Sequence, residues 1–524
     1  MKNSFYLVIP EQQDIPERSR LFEEKALQRW IDELPIANPG LSTRLLFDLL
    51  KEFNSLTMSA QFRLDALELL GASFLSTEDY LRFRLIKEGF PKSEDEQKIF
   101  NVLVGIEKEF TLGYWIAVKE LTHREIGWFQ GKHVALSIQR ALSGLSHIVV
   151  SHYIMSVPVP DWVWIDIHSL HRLSVKIKKV SSKVPKSLSE PGKTLSVGDC
   201  YRQILLLSLA QPEGLMQREV LQVFNFTESL SSLLILEDKP VQSQSVQCII
   251  FTDEDQEPRF IRHTNTNSDS SALYINFTKL YKALEQKEKL INKEQARFSS
   301  MTVVKNTMVA LSTELLEYLT LRWFGVELQG APLFSDRLDR YICIGLEATY
   351  QLQLNDDKAY EEGLEFLVES TSERALSCQF NKAGLISIGS LISFRKKDMP
   401  VSKRSLGVVN KIVAARSNGK MTFEIQALAG QFFAVTYQSP ASNALPQKAL
   451  IYGVKTQEAD KSYIIMESFN LKEGDIIRMT LNQESFPIIL RDRKNIGLGY
   501  WQFECRRIEE QALPVERRKG YDFI

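Results

Sequence analysis

The spacing of apolar residues changes once along this chain, and that change most constrains its fold. From Leu21 to about Lys176 the apolar residues recur every three or four positions, the spacing of one face of an α-helix. After Arg340 the spacing falls to two, in short segments rich in β-branched and aromatic residues. Turn-forming sequences such as Ser417-Asn418-Gly419 separate these segments. The two patterns occupy separate blocks and therefore predict a multidomain α+β protein.

The order of the patterns predicts the domain organisation. A connector rich in lysine, serine and proline, Val175 to Lys193, divides two helical blocks. We expect an all-α N-terminal helical region, as a bundle or irregular helical hairpins, at residues 1–180, and a mixed, mainly helical domain at 194–330 with a strand near Val246–Thr252. An antiparallel β-barrel is expected at 331–439, interrupted by a helix over Tyr360–Ser370. Further strands or a second small barrel follow at 440–512, and a tail at 513–524.

Composition excludes several classes of protein. At about 150 residues per domain, 524 residues suggest three or four domains. Lys plus Arg total 64 against 65 for Asp plus Glu, so no overall charge attracts nucleic acid or an anionic membrane. No stretch approaches a membrane span, and the start of the chain lacks a signal-peptide core. The five cysteines form no CxxC pair, so we expect no disulfide framework, no cysteine zinc site and a cytoplasmic location.

Motifs for catalysis are missing from the sequence. It contains no GxGxxG, GxxxxGK[ST] or GxSxG pattern, and we expect neither an enzyme nor a bound cofactor. His168 and His171 lie one helical turn apart and could join acidic residues in a site built across domains. No HExxH pattern accompanies them, and packing inside a helix is the interpretation we favour. We interpret Asp253-Glu254-Asp255 as a solvated loop, since no calcium-loop spacing follows it.

One C-terminal stretch resembles a known family. The sequence RALSCQFNKAGLISIGSLISFRKKDMPVSKRSLGVVNKIVAARSNGKMTFEIQALAG resembles the core of a PilZ-type β-barrel. In that family a strand ends in an Asp/Asn-x-Ser-x-x-Gly turn, before a G-x-L strand, a polar loop and an L-G-V-V strand. Asn381 matches the first position of the turn, Ala383 stands where serine is expected, and Gly384 is the nearby glycine. The segments RWIDELPIANPG, LLKEFNSLTMSAQFRLDALELL and DWVWIDIHSLHRLS are similar to long bacterial proteins with a helical N-terminal region and a PilZ-like C-terminal part.

The resemblance implies a ligand and candidate residues for it. PilZ receptors of cyclic di-GMP carry Arg-x-x-x-Arg ahead of the barrel, and Arg337 and Arg340 are the nearest counterpart, at a shorter spacing. Guanidinium groups suit this ligand because they stack on guanine, bind its O6/N7 edge and pair with phosphate. The ligand-binding candidates are Arg337, Arg340, Asn381, Arg395 and Arg404. Basic residues in β-turn loops are also commonly solvated surface residues, and that alternative stays open.

Two functional hypotheses follow. The first is a non-enzymatic bacterial signalling or adaptor protein that responds to cyclic di-GMP and contacts an unknown protein partner through its helical part. The alternative is a ligand-free structural scaffold whose PilZ-like barrel serves as an interaction surface.

Overall fold

The fold is described from a computed structural model of the chain. It describes residues 9–123, 130–186, 192–261, 271–286, 311–328, 332–334, 336, 338–354, 363–415, 419–439, 445–455, 460–468 and 470–508. Arg337, one of the ligand candidates, lies outside this set, as does the predicted tail.

The N-terminal region is helical. Its helices are α1 (Pro16–Ser19), α2 (Glu24–Asp32), α3 (Pro39–Asn54), α4 (Ala60–Leu85), α5 (Glu94–Thr122), α6 (Gly131–Ile154) and α7 (Val163–Lys176). The Asn38 side chain accepts from the Leu41 backbone N–H, and Ser59 and Ser93 cap α4 and α5 in the same way. These caps satisfy backbone donors that a helix start leaves open, and they fix where the helices begin.

Helices α4, α5 and α6 pack closely at the centre of this region. A Cβ atom at Gly144 of α6 would lie 2.2 Å from Thr111 Oγ1 of α5, so the two backbones approach closely only because this residue is glycine. By length and mean hydropathy α6 could also cross a membrane, the one such helix in the described ranges, but 72% of its most apolar window is buried inside the protein. Its apolar character is that of a core helix, which meets the same criteria.

The middle region combines helices with a small sheet. It contains β1 (Lys183–Pro185), β2 (Thr194–Ser196), α8 (Val197–Leu209), α9 (Gln217–Leu230), β3 (Ile235–Glu237), β4 (Gln247–Phe251), β5 (Arg259–Ile261), β6 (Ala272–Asn276), α10 (Thr278–Glu285) and α11 (Thr313–Trp323). The predicted strand is present as β4, in a four-stranded sheet of order β3-β6-β4-β5. Strands β3 and β5 have three residues each, too few to show an alternating pattern in sequence.

A closed six-stranded antiparallel barrel follows. Its strands are β7 (Arg340–Ile344), β8 (Phe366–Ser370), β9 (Ala375–Cys378), β10 (Leu391–Lys396), β11 (Ser405–Ala414) and β12 (Met421–Ala429), in the order β10-β11-β12-β9-β8-β7. The predicted helix over Tyr360–Ser370 is wrong for its last part, since 366–370 form β8, while 360–362 lie outside the described residues. The helix is α12 (Leu346–Leu354). It starts where Gly345, with φ of +92°, ends β7.

A second closed barrel has the same strand order. Its strands are β13 (Phe433–Gln438), β14 (Gln447–Lys455), β15 (Asp460–Met466), β16 (Ile476–Leu481), β17 (Glu484–Asn495) and β18 (Trp501–Arg507), in the order β13-β14-β15-β18-β17-β16. Counted within each barrel, both run 1-2-3-6-5-4. The sequence boundary at 439 assigns β13 to the first barrel, but this strand pairs with β14 and β16 of the second. The chain passes into the second barrel at residues 430–432, directly after β12, so the boundary between the barrels precedes β13.

The two ends of the first barrel have different surroundings. We call them the Ile386 end, where β9 and β11 finish, and the Arg340 end, where β7 starts and β8 and β10 finish. At the Ile386 end the barrel meets the helical region, and Ala414 N donates to Ser156 O at 2.8 Å. It also meets the second barrel there, where Leu498 N donates to Gly389 O at 3.0 Å.

Candidate ligand-binding site

Arg340 and Lys396 lie together at the Arg340 end of the first barrel. They are direct partners across β7 and β10. Ile342 and Phe394, two residues further into each strand, belong to the barrel core. Because side chains alternate along a strand, Arg340 and Lys396 are on the same inward side. The two cations therefore line one opening of the barrel.

Asp336 bridges these two cations. Its carboxylate accepts from Arg340 Nη2 at 2.6 Å and pairs with Lys396 Nζ at 2.7 Å. Hydrogen bonds from Lys396 and Arg340 hold the pKa of Asp336 well below its usual range. The Arg340 guanidinium also lies 3.8 Å from the centre of the Phe334 ring. Two cations share one carboxylate, so this group of three side chains has an excess positive charge that suits an anion.

The hairpin between β8 and β9 borders Arg340. Arg340 Nη1 donates to Ser370 Oγ at 2.7 Å, and that hydroxyl donates to Leu338 O at 2.8 Å. Ser372 Oγ accepts from the backbone N–H groups of Arg374 and Ala375, at 3.2 and 3.0 Å. Leu333 and Phe334 each donate a backbone N–H to Glu373 O at 2.9 Å. The segment before β7 is thus folded against this hairpin.

Sequence reasoning missed Asp336, Ser370 and Ser372. The signal that could have found them is the antiparallel alternation itself. In a barrel built from sequential antiparallel strands, the hairpin after the second strand returns to the end where the first strand begins.

Arg395 and Arg404 form a different cluster, on the outer face of the barrel. Arg395 makes a two-bonded pair with Glu365, at 2.9 and 2.7 Å, and Arg404 pairs with the same carboxylate. Arg404 Nε also donates to Ser393 Oγ at 2.9 Å. Burial would raise the pKa of Glu365, but hydrogen bonds from Arg395 and Arg404 outweigh it and lower that pKa. Both guanidinium groups are buried and held by this one carboxylate.

Asn381 lies away from the arginines. It is an exposed residue of the bend after β9, at the Ile386 end. The structure therefore brings Arg395 and Arg404 together, places Arg340 beside Lys396, and puts Asn381 at the opposite end of the barrel from Arg340. The following Gly384 has φ of +74°, a conformation that favours glycine.

The two histidines considered for an enzyme site are packed inside the protein. His168 makes hydrogen bonds of 2.8 Å with Tyr201 Oη and with Gln256 O, and His171 stacks on the Tyr201 ring at 4.0 Å. Burial lowers the pKa of His168 to about 4 and that of His171 to about 3. Within the described part of the chain no three His, Cys, Asp or Glu residues are placed to hold a metal ion. Packing, our favoured interpretation, accounts for both histidines.

Asp255 has a structural role that the sequence did not reveal. Its carboxylate accepts from the backbone N–H of Trp162 and, at 2.9 Å, from that of Ile165. It therefore caps the start of α7 from a distant loop, where negative charge is favourable. Residues 253–255 form an exposed turn, which confirms our interpretation of a solvated loop. The capping role of Asp255 was missed because its partners are remote in sequence.

Comparisons with known proteins give one consistent result. Residues 25–241 match the family model described as "Cyclic-di-GMP receptor FimW, N-terminal domain". The chain is also similar to the cyclic-di-GMP receptor FimW of Pseudomonas aeruginosa, with 23% identity over 326 residues, 62% of this chain and 52% of FimW. The similarity thus spans about half the length of that curated relative. No solved structure matches this chain. The family match runs from within α2 to just beyond β3, a segment that precedes both barrels.

Proposed function

We propose that this chain is a non-enzymatic bacterial signalling or adaptor protein that binds cyclic di-GMP and acts through a protein partner. The observation that carries this proposal is the match of residues 25–241 to the N-terminal domain of a cyclic-di-GMP receptor. The five cysteines are buried and unpaired, which supports a reducing compartment, the cytoplasm. The partner is unknown, and the helical region is the part we assign to it.

We further propose that the first barrel is PilZ-like and that the ligand binds at its Arg340 end. Two observations support this location. Arg340 begins β7 at that end, and the hairpin after β8 contacts Arg340 and the backbone of Leu333 and Phe334. The hairpin reads Ser370-x-Ser372-x-x-Ala375, which keeps the central serine of the Asp/Asn-x-Ser-x-x-Gly pattern. The Asn381 turn instead keeps the first position of the pattern and lacks the serine.

The side chains at the Arg340 end can bind one guanine and one phosphate of cyclic di-GMP. Arg340 has a planar guanidinium that can stack on guanine, and Lys396 offers a point charge to a phosphate. Asp336 already pairs with both cations, so the ligand phosphate would replace its carboxylate. Asn381, Arg395 and Arg404 remain candidates, but Arg395 and Arg404 would first have to leave Glu365.

A matched pair of lysine variants tests the location. Lys396 is 42% exposed and pairs with a carboxylate at 2.7 Å, and Lys461 of the second barrel is 38% exposed and pairs with one at 3.0 Å. Calorimetric titration of the full chain with cyclic di-GMP should show Lys396→Ala binding about tenfold more weakly, the loss of one charge-assisted contact of about 1.5 kcal/mol. Lys461→Ala should bind like the unchanged protein.

Two further variants separate the two ends of the barrel. Arg340→Lys keeps the charge but loses the planar fork, so it should also weaken binding. Weakened binding in Asn381→Ala with no change in Lys396→Ala would place the site at the Ile386 end and refute a ligand site at the Arg340 end.

The ligand-free scaffold is the second candidate function. Its support is specific: each described candidate arginine already has a carboxylate partner within the chain, Asp336 for Arg340 and Glu365 for Arg395 and Arg404. Titration of the unchanged protein separates the two functions. Saturable heat at micromolar cyclic di-GMP favours the receptor, and its absence at high micromolar concentration favours the scaffold.

A further inference from the structure

A short segment of the helical region pairs with the first barrel. The connector between α4 and α5, Ile86–Lys92, forms an antiparallel bridge with the loop between β9 and β10. Phe90 N donates to Ile386 O at 2.7 Å, and Ile386 N donates to Phe90 O at 2.8 Å. Gly384 N adds a third bond, to Pro91 O at 3.0 Å. Backbone hydrogen bonds therefore join the region that matches the receptor family to the barrel.

Side chains also pack at this contact between the connector and the first barrel, which we call the joint. Phe90 is buried and belongs to the core of the first barrel, together with Phe380, Ile386 and Ile388. A Cβ atom at Gly89 would lie 2.4 Å from Ser387 Oγ and 2.6 Å from Ile386 O. The approach is possible only because residue 89 has no side chain. The helical region thus supplies a core residue to the Ile386 end of the barrel.

The connector is held in shape from the helical side. The buried Lys92 ammonium donates to the carbonyl oxygens of Leu85 and Glu88 and pairs with Glu96 at 2.8 Å. Gln217 of α9 donates to Glu88 O at 2.9 Å. Because α4, α5 and α9 all contact this segment, a displacement of the barrel loop would disturb contacts of three helices.

One strand links the joint to the Arg340 end. Strand β9 has four residues, and it runs from the Thr371–Arg374 hairpin beside Arg340 to Phe380 at the joint. Strand β9 pairs with β8 on one side and with β12 on the other, so its two ends belong to one hydrogen-bonded element and shift together. Contacts that fix the hairpin at one end of β9 therefore also favour the position of Phe380 that packs with Phe90.

From this geometry we infer that the Ile86–Lys92 connector couples ligand occupancy of the first barrel to the helical region, with positive sign. Docking of Phe90 and binding of the ligand at the Arg340 end stabilise the same arrangement of β9, so each strengthens the other. This inference rests on the proposed function. Coupling between two sites is reciprocal, and both directions can be measured.

Two glycine variants of the full chain provide the test. Gly89→Ala places a methyl group against Ile386 O and Ser387, while Gly71→Ala, on α4, meets nothing within 4 Å. Cyclic di-GMP is titrated by calorimetry, and amide hydrogen exchange is followed at 86–92 and 384–390. We expect Gly89→Ala to bind at least fivefold more weakly and Gly71→Ala to bind normally. In the unchanged protein the ligand should slow exchange of the Phe90 and Ile386 amides.

The contrary outcomes are distinct. If Gly89→Ala opens the bridge, seen as faster exchange at 384–390, yet binds within twofold of the unchanged protein or more tightly, the coupling is refuted while ligand binding stands. If the unchanged protein binds no cyclic di-GMP, the proposed function fails and the coupling fails with it. Should Gly89→Ala not fold, Phe90→Leu, which keeps an apolar side chain at the joint, gives the same readout.

Discussion

The clearest prediction about the stability of the first barrel concerns Glu365. One carboxylate with 7% exposure pairs with two guanidinium groups, Arg395 with 5% and Arg404 with none. Glu365→Gln keeps the shape of the side chain and one acceptor oxygen, but it removes the negative charge that offsets these cations. Two buried positive charges would then face a neutral amide.

The expected cost follows from this geometry. Breaking a buried ion pair costs about 3–5 kcal/mol, and the oxygen that Gln retains for one guanidinium favours the lower value. A loss of about 3 kcal/mol corresponds to roughly 150-fold faster exchange of amides that open with the barrel. The amides of β10, which carries both Ser393 and Arg395, report it most directly.

The assay is hydrogen exchange of the full chain at neutral pH, with Glu369→Gln as the control. Glu369 belongs to the same barrel and pairs with Lys420 at 2.7 Å, but its side chain is 67% exposed, so solvent and salt replace the pair at little cost. We expect less than threefold change there. Exchange of β10 in Glu365→Gln within threefold of the unchanged protein would refute the idea that this cluster holds the barrel together.

The pH dependence has a definite sign. The folded protein lowers the pKa of Glu365, so its contribution to stability is complete above the unfolded pKa, about 4.3, and is lost as pH falls through the folded value. The first barrel should therefore lose stability below about pH 4. The Glu365→Gln variant should lack this particular loss.

Two further predictions concern the helical part. Lys92→Met leaves Glu96 and two backbone carbonyls without their buried cation, and thermal unfolding followed by circular dichroism should show a loss on the order of 2–4 kcal/mol; an unchanged melting temperature would contradict this. His168 and His171 have lowered pKa values in the folded state, about 4 and about 3, so the unfolded chain binds protons first and stability should fall as pH drops from about 6.5 toward 4. The urea midpoint of His168→Gln should depend less on pH over that window, and an equal slope would count against buried neutral histidines.

Local signals were the most predictable from sequence. Asn38 and Ser93 are residue types that favour helix starts, and each caps its helix through a backbone N–H three residues further on. Most barrel strands were also predicted, because each buries one face and alternates accordingly. Helix α12 was not predicted, because the same alternation occurs there in a segment that is helical. Its sequence, LEATYQLQL, alternates perfectly, but the helix packs on the first barrel and on β13 and β14 of the second, so its apolar residues need not form a single stripe.

The candidate site was less predictable, because it depends on which strands pair. The resemblance to PilZ receptors implied arginine as the useful residue type, but it could not show that Arg395 and Arg404 share Glu365. Nor could it show that Asn381 and Arg340 lie at opposite ends of the barrel. The first fact depends on a strand order of 1-2-3-6-5-4, a long-range property that single-sequence patterns do not record. The second depends on the antiparallel pairing of β7 with β8 and of β8 with β9.

The family match and the arginine candidates lie in different parts of the chain, and this separation makes the connector important under either location of the ligand. The matched residues 25–241 contain Phe90 and Lys92, but none of the barrel arginines. If cyclic di-GMP binds at the Arg340 end, the Phe90 joint carries its effect to the helices. If it binds the helical region instead, Lys396→Ala leaves affinity unchanged, but Gly89→Ala would still alter the barrel's response, because linkage acts equally in both directions. Under the proposed function, the Phe90 contact is therefore a route between the helical region and the first barrel for either location of the ligand.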